Sequence, residues 1–234
     1  MKLYDLIKED FANVKNQDPA LKSSFELFFN YPGLWSLFFH RHAHFLYKKR
    51  FYKLARVVSG IGLFLTSIDI HPAAVIGRRV FIDHGIGVVI GETTIVGDDV
   101  IIYQQVTLGG VSLNKGKRHP TVGNNVVIGG GAKVLGNITI GDHSKIGANS
   151  VVVKDVPSDS TAIGVPARII RRGRDKSPFS HNKLPDITKE MFEYLIKRVQ
   201  ILEDAVISGN KEVLSKEDKE LEKIYQAFID AMKP

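Results

Sequence analysis

An aliphatic residue returns every six positions along most of residues 70–152. Ile70, Ile76 and Ile82 open the series. After a slip of two residues Ile90, Val96, Ile102 and Leu108 continue it, and after a longer interruption Val122, Ile128, Val134, Ile140, Ile146 and Val152 complete it. Glycine follows the aliphatic residue in eight of these thirteen hexads. Four residues on stands something small or β-branched: Ala74, Val80, Thr94, Val100, Val106, Val126, Ala132, Ser144 and Ser150. A strict six-residue period predicts a parallel β-helix, in which each hexad is one short strand and a turn. Three hexads close a triangular coil, and each coil buries its faces by stacking on the next. The period by itself leaves the handedness of winding open.

The flanks have a different period. Leu3, Ile7, Phe11 and Val14 share one helical face. A second apolar run from Phe25 to Tyr47 is broken at Pro32–Gly33. Beyond the hexads, Met191, Leu195, Val199, Leu202 and Val206 follow a heptad-like spacing that ends at Gly209–Asn210. Leu221, Ile224, Phe228 and Met232 follow another, after Ser215 and Asp218 in near capping-box spacing. The expected organisation is an N-terminal helical domain (1–66), a β-helix domain (67–172) with an expelled loop (109–121), a linker (173–183) and a C-terminal helical hairpin (184–234).

Composition narrows the chemistry. The chain has no cysteine, which excludes disulfides, thiolate metal sites and a thiol nucleophile. The acidic start MKLYDLIKED argues against a secretory signal. The longest apolar stretch, Val57–Ile68, is too short for a membrane span of about 20 residues. A cytoplasmic protein is expected. The net charge of +7 is spread along the chain, with no recognition helix or aromatic–basic platform beside it. An anionic small ligand therefore suits it better than nucleic acid or membrane.

Three polar groupings interrupt the repeat: Asp69-Ile-His-Pro72, Asp83-His84-Gly85 and Arg118-His119-Pro120, the last at the end of the loop inserted between Leu108 and Val122. A loop expelled from a regular solenoid is often functional. Asp69 and His84 are separated by slightly less than one coil, which predicts that they meet near one corner. There the carboxylate would fix the imidazole tautomer and leave the other nitrogen as a base.

The segments DIHPAAVIG (69–77), DHGIGVVIGET (83–93), YQQVTLGG (103–110), KRHPTVGNNVVIGGGAKVLGN (117–137) and GVPARII (164–170) together resemble the serine O-acetyltransferases, a branch of the hexapeptide-repeat acyltransferases. The resemblance covers about residues 17–172. It implies a left-handed parallel β-helix preceded by helices, a homotrimer with active sites between neighbouring subunits, and acetyl transfer from acetyl-CoA to L-serine without a metal. His84 would be the general base, Asp69 its orienting partner, and His119 an assisting residue. Arg118 would hold the serine carboxylate, while Asp18 and Asp83 would meet its ammonium. Gly110, Gly130, Ala148 and Arg168 would lie along the CoA arm. Alanine often stands at the position of Gly130 in that family.

Two departures carry expectations. The helical region before Asp18 is short, so a trimer is expected and a hexamer stays open. The family's tail ends in isoleucine, which docks into O-acetylserine sulfhydrylase. This chain ends Ala231-Met-Lys-Pro234, which argues against that complex, and it leaves L-cysteine inhibition expected but of unset strength. Two other functions compete: a hexapeptide acyltransferase for another hydroxyl acceptor, and a γ-type carbonic anhydrase holding zinc on His84, His119 and His143.

Overall fold

The computed structural model describes residues 3–170 and 187–208. The chain divides into two compact units, residues 1–181 and 182–234. In the first, three parallel sheets form the faces of a prism. Face I contains Asp69–Ile70, Val89–Ile90, Thr107–Gly109, Lys133–Leu135 and Val151–Val152. Face II contains Val75–Ile76, Ile95–Val96, Thr121–Val122 and Thr139–Ile140. Face III contains Phe81–Ile82, Ile101–Ile102, Val127–Ile128 and Lys145–Ile146, and closes with the antiparallel pair Thr161–Gly164 and Ala167–Ile170.

The register follows the hexads. Stacked strands are eighteen residues apart where the period is unbroken, as between Val89 and Thr107. The separation is twenty across the two-residue slip, as between Asp69 and Val89. It is twenty-six across the expelled loop, as between Thr107 and Lys133. All thirteen hexad aliphatics are buried, as are the nine small or β-branched residues four places on. An inserted segment therefore leaves the prism at a corner and does not disturb the stack. The loop does project outward: Val111 and Leu113 are exposed.

Three helices precede the coil: α1 (Leu3–Gln17), α2 (Pro32–Lys48) and α3 (Tyr52–Thr66). Pro32 occupies the first turn of α2, where its missing N–H costs nothing. A short 3-10 turn, Ser24–Phe28, begins at a Ser23–Glu26 capping box. Two apolar clusters join helices to coil. Val14, Leu27 and Leu34 pack on the outward side of face III, against Phe81, Ile101 and Val127. Leu37 and Ile68 belong to the core inside the prism.

One buried polar contact fixes the helices on the coil. Arg41 of α2 pairs with Asp10 of α1 at 3.0 Å. It also donates to the carbonyls of Ile76 (2.6 Å) and Gly77 (2.7 Å). Gly33 lets the start of α2 press against face III, because a Cβ there would lie 2.0 Å from the Ile82 carbonyl oxygen.

In the second unit, α4 (Ile187–Ser208) is the first limb of the expected C-terminal hairpin. Leu195, Val199, Leu202 and Val206 of its heptad-like stripe are exposed, and Ile201 is buried. The second limb, at Leu221–Met232, lies outside the described residues, as does the expected linker 173–183. Among the described residues no helix is long and apolar enough to cross a membrane.

Candidate active site

The corners of the prism carry the polar residues, because every other strand position points into an apolar core. The edge from face III to face I holds Asp83 and His84 in its first turn. Below them come Gln104–Gln105, Gly130–Gly131 and Ala148–Asn149. Each turn hangs on the one above: Gln105 N donates to Ile86 O, Gly131 N to Gln104 O, and Asn149 N to Gly130 O. His84, Gln105, Gly131 and Asn149 all take positive φ at this corner, so the left-handed state of His84 (φ 58°) belongs to the turn.

An acidic group gathers around this edge. Tyr31 Oη donates to Asp18 Oδ2 at 2.6 Å, and the Ala20 N–H donates to Asp18 Oδ1 at 2.7 Å. Burial raises the Asp83 carboxyl, against the lowering pull of His84, and the Asp18 charge raises it further. Burial also raises the Tyr31 and Tyr103 phenols, with Asp83 adding to both. Two carboxylates gathered at one edge make a place suited to a small cation such as an ammonium group.

The predicted meeting of Asp69 and His84 is only half met within the chain. Their backbones adjoin: Asp69 N donates to Val88 O and Gly87 N to Ser67 O. Yet His84 Nε2 lies 3.9 Å from Asp83 Oδ1, and no ion pair joins it to Asp69 among the described residues. The His84 side chain is 77% exposed, so nothing in its own chain packs the ring against Asp69.

A second group stands on the edge from face I to face II. Arg118 forms a short ion pair with Glu92, which holds that carboxyl below its usual range. His119 is buried, and burial followed by the Arg118 charge pushes its imidazole down. Thr93 sits between them. Its Oγ accepts from the backbone N–H groups of Arg118 (3.0 Å) and His119 (3.1 Å). Gly110 faces the same ring, since a Cβ there would lie 3.1 Å from His119 Nε2.

The residues expected along one CoA track are therefore divided. Gly110 belongs to the I–II edge, Gly130 and Ala148 to the III–I edge, and Arg168 to the closing antiparallel pair opposite Ile163. The division arises because Gly110 follows a strand of face I, whereas Gly130 and Ala148 follow strands of face III. At Gly130 a Cβ would approach the movable end of Gln104 (2.8 Å), so alanine fits there after a small side-chain shift. The imagined zinc set of His84, His119 and His143 falls on three different edges. Among the described residues no cluster of three His, Asp or Glu is placed to hold a metal ion.

Sequence reading missed Tyr31, Glu92 and Thr93 as members of these groups. Glu92 and Thr93 do stand in the segment DHGIGVVIGET, where an acid and a hydroxyl adjoin in one turn from face I to face II. Tyr31 left no such signal.

Known proteins resemble this chain in sequence and in fold. The family model described as bacterial transferase hexapeptide (six repeats) matches residues 119–154. Serine acetyltransferase of Bacillus subtilis is 50% identical over 84% of this chain and 91% of its own. A solved serine acetyltransferase in complex with cysteine superposes with a TM-score of 0.72 at 38% identity, over 78% of this chain and 70% of that one. Another in complex with CoA gives 0.66 at 40% identity, over 72% and 69%. The repeat and these neighbours make the coil a left-handed β-helix. The chain belongs to the serine acetyltransferase family, and it transfers acetyl from acetyl-CoA to the hydroxyl of L-serine, the step that leads into cysteine biosynthesis.

Proposed function

We propose that the acceptor site forms between protomers of a homotrimer, where the III–I edge of one chain meets the I–II edge of its neighbour. One observation carries this reading. The base and the two carboxylates stand on one edge of face I, and the guanidinium and the second imidazole stand on the other. Serine needs both sets at once. A threefold rotation brings unlike edges together, while a single chain keeps them a face apart.

In this arrangement Asp18 and Asp83 receive the serine ammonium and Arg118 its carboxylate, as a forked donor. His84 takes the hydroxyl proton as the serine oxygen attacks the thioester carbonyl carbon. The C–O bond forms, the C–S bond breaks, and the imidazolium returns its proton to the departing CoA sulfur. Asp69 orients His84 once the exposed ring swings toward it. The CoA arm passes Gly110 of one protomer and Gly130 and Ala148 of the next, with Arg168 toward its far end. L-Cysteine carries the same ammonium and carboxylate as serine and competes for this site.

Mixed trimers test the reading. His84→Ala and Arg118→Ala chains, each impaired alone, regain activity when refolded together, because some interfaces then pair two intact edges. Activity that never exceeds the sum of the separate variants places the whole site in one chain. Arg118→Ala alone is expected to raise the KM for serine by about 10–100-fold, the worth of a charged hydrogen-bonded contact. A rise confined to the acetyl-CoA KM contradicts the assignment.

Gly91→Ala tests the placement of His119. A Cβ there would come 2.0 Å from His119 Cδ2 and 2.1 Å from Nε2. The ring cannot bend away, so it shifts as a body, and misplacement of about 1 Å costs about 10²-fold in rate. Steady-state kinetics should show that loss with an unchanged far-UV circular dichroism spectrum. Near-normal kinetics would mean that the ring position is unimportant.

A further inference from the structure

The backbone N–H of Thr93 donates to His119 Nδ1 at 3.2 Å. A backbone N–H is only ever a donor, so Nδ1 must present its lone pair. In a neutral imidazole the proton then sits on Nε2. The Thr93 hydroxyl points to the same result. Its oxygen accepts from the backbone N–H groups of both Arg118 and His119, which occupies its lone pairs. Its own proton is left to donate to Nδ1, 2.9 Å away. Lys117 ties the turn together by donating to Thr93 O (2.6 Å) and Pro120 O (3.1 Å). The Cδ2–Nε2 edge of the ring lies against Gly91, and Nε2 also borders Gly110, so two residues without side chains adjoin that nitrogen. Burial favours the neutral imidazole.

We infer that Thr93 is a positioning residue that holds His119 as the Nε2–H tautomer, so that His119 donates a hydrogen bond to an anionic oxygen of the bound reactants and takes no proton from them. This rests on the reading that His119 lines the acceptor site. It separates the work of the two imidazoles: His84 moves the proton, and His119 stabilises charge with a donor whose direction is set before substrate arrives. The device needs a hydroxyl and a backbone N–H at one residue, facing a histidine twenty-six residues later across the expelled loop.

Nitrogen-15 NMR of histidine-labelled protein, with His119→Gln to assign the resonances, reads the tautomer directly. The wild type should show a pyridine-like Nδ1 and a pyrrole-like Nε2. Thr93→Val keeps the backbone N–H and the shape but removes the hydroxyl. It should give a mixed tautomer and lower kcat/KM for serine about tenfold. Thr93→Ser should restore both the spectrum and the rate. A pyrrole-like Nδ1 in the wild type overturns the inference, and so do an unchanged tautomer and rate in Thr93→Val. If Thr93→Val does not fold, the wild-type spectrum and Thr93→Ser still decide. Unchanged kinetics in His119→Gln would instead remove His119 from the acceptor site while leaving the tautomer lock standing.

Discussion

His84→Ala lowers turnover by about 10²–10⁴-fold, the usual contribution of a general base, and leaves the denaturant midpoint near that of the parent. The second half of this expectation comes from exposure. A side chain 77% open to solvent contributes little packing, so its removal leaves the coil intact. The backbone adds a small cost, because position 84 has φ 58° and alanine tolerates the left-handed region less well than asparagine. His84→Asn is therefore the better control, with the same loss of turnover and less strain. The neighbouring carboxylates should separate in the same assay. Asp69→Asn acts on kcat through the orientation of the base, and Asp83→Asn acts on the KM for serine. Near-parent turnover in both His84 variants would remove the imidazole from the chemistry. Equal effects of the two carboxylates on kcat would put Asp83, which lies 3.9 Å from the ring, in the orienting role.

Asp10→Ala destabilises the protein by about 3–5 kcal/mol, because it strips the partner from a buried guanidinium. Both side chains of the pair are almost fully enclosed, at 5% exposure for Arg41 and 2% for Asp10. Burial raises the Asp10 carboxyl even against the lowering effect of Arg41, which marks how costly it is to hold this charge out of water. The pair therefore dictates how α1 and α2 seat on the prism more than it adds net stability. Arg41 reaches through the pair to the Ile76 and Gly77 carbonyls, which ties α1, α2 and the edge of face II together at one point. Removing both partners, as Asp10→Leu with Arg41→Leu, should cost clearly less than the two single substitutions added together. Urea unfolding of the four proteins measures that coupling. Additive losses would show that the two groups act independently.

How much of this was legible from the chain alone differs from element to element. Burial of Ile102, Leu108 and Ile128 could be read directly, because the direction of a side chain in a six-residue strand and turn depends only on its place in the hexad. Helix α1 could be read from Leu3, Ile7, Phe11 and Val14 for the same local reason. Family resemblance supplied the reaction and the names of the proposed site residues, which stand in short runs such as DIHP and KRHP.

What stayed hidden was which residues of neighbouring turns touch once insertions change their spacing. The slip before Ile90 and the loop before Val122 leave the order of the faces intact but stretch the spacing of stacked residues from eighteen to twenty and to twenty-six. Thr93 therefore meets a histidine twenty-six residues on, not eighteen. The Asp10–Arg41 pair and the Tyr31–Asp18 contact likewise join segments whose spacing bears no period. The inside and outside of this protein were thus set by a local repeat that any six residues reveal. Its chemistry was set by register, a sum over all preceding turns and loops, and only the folded chain performs that sum because only there do distant corners stack.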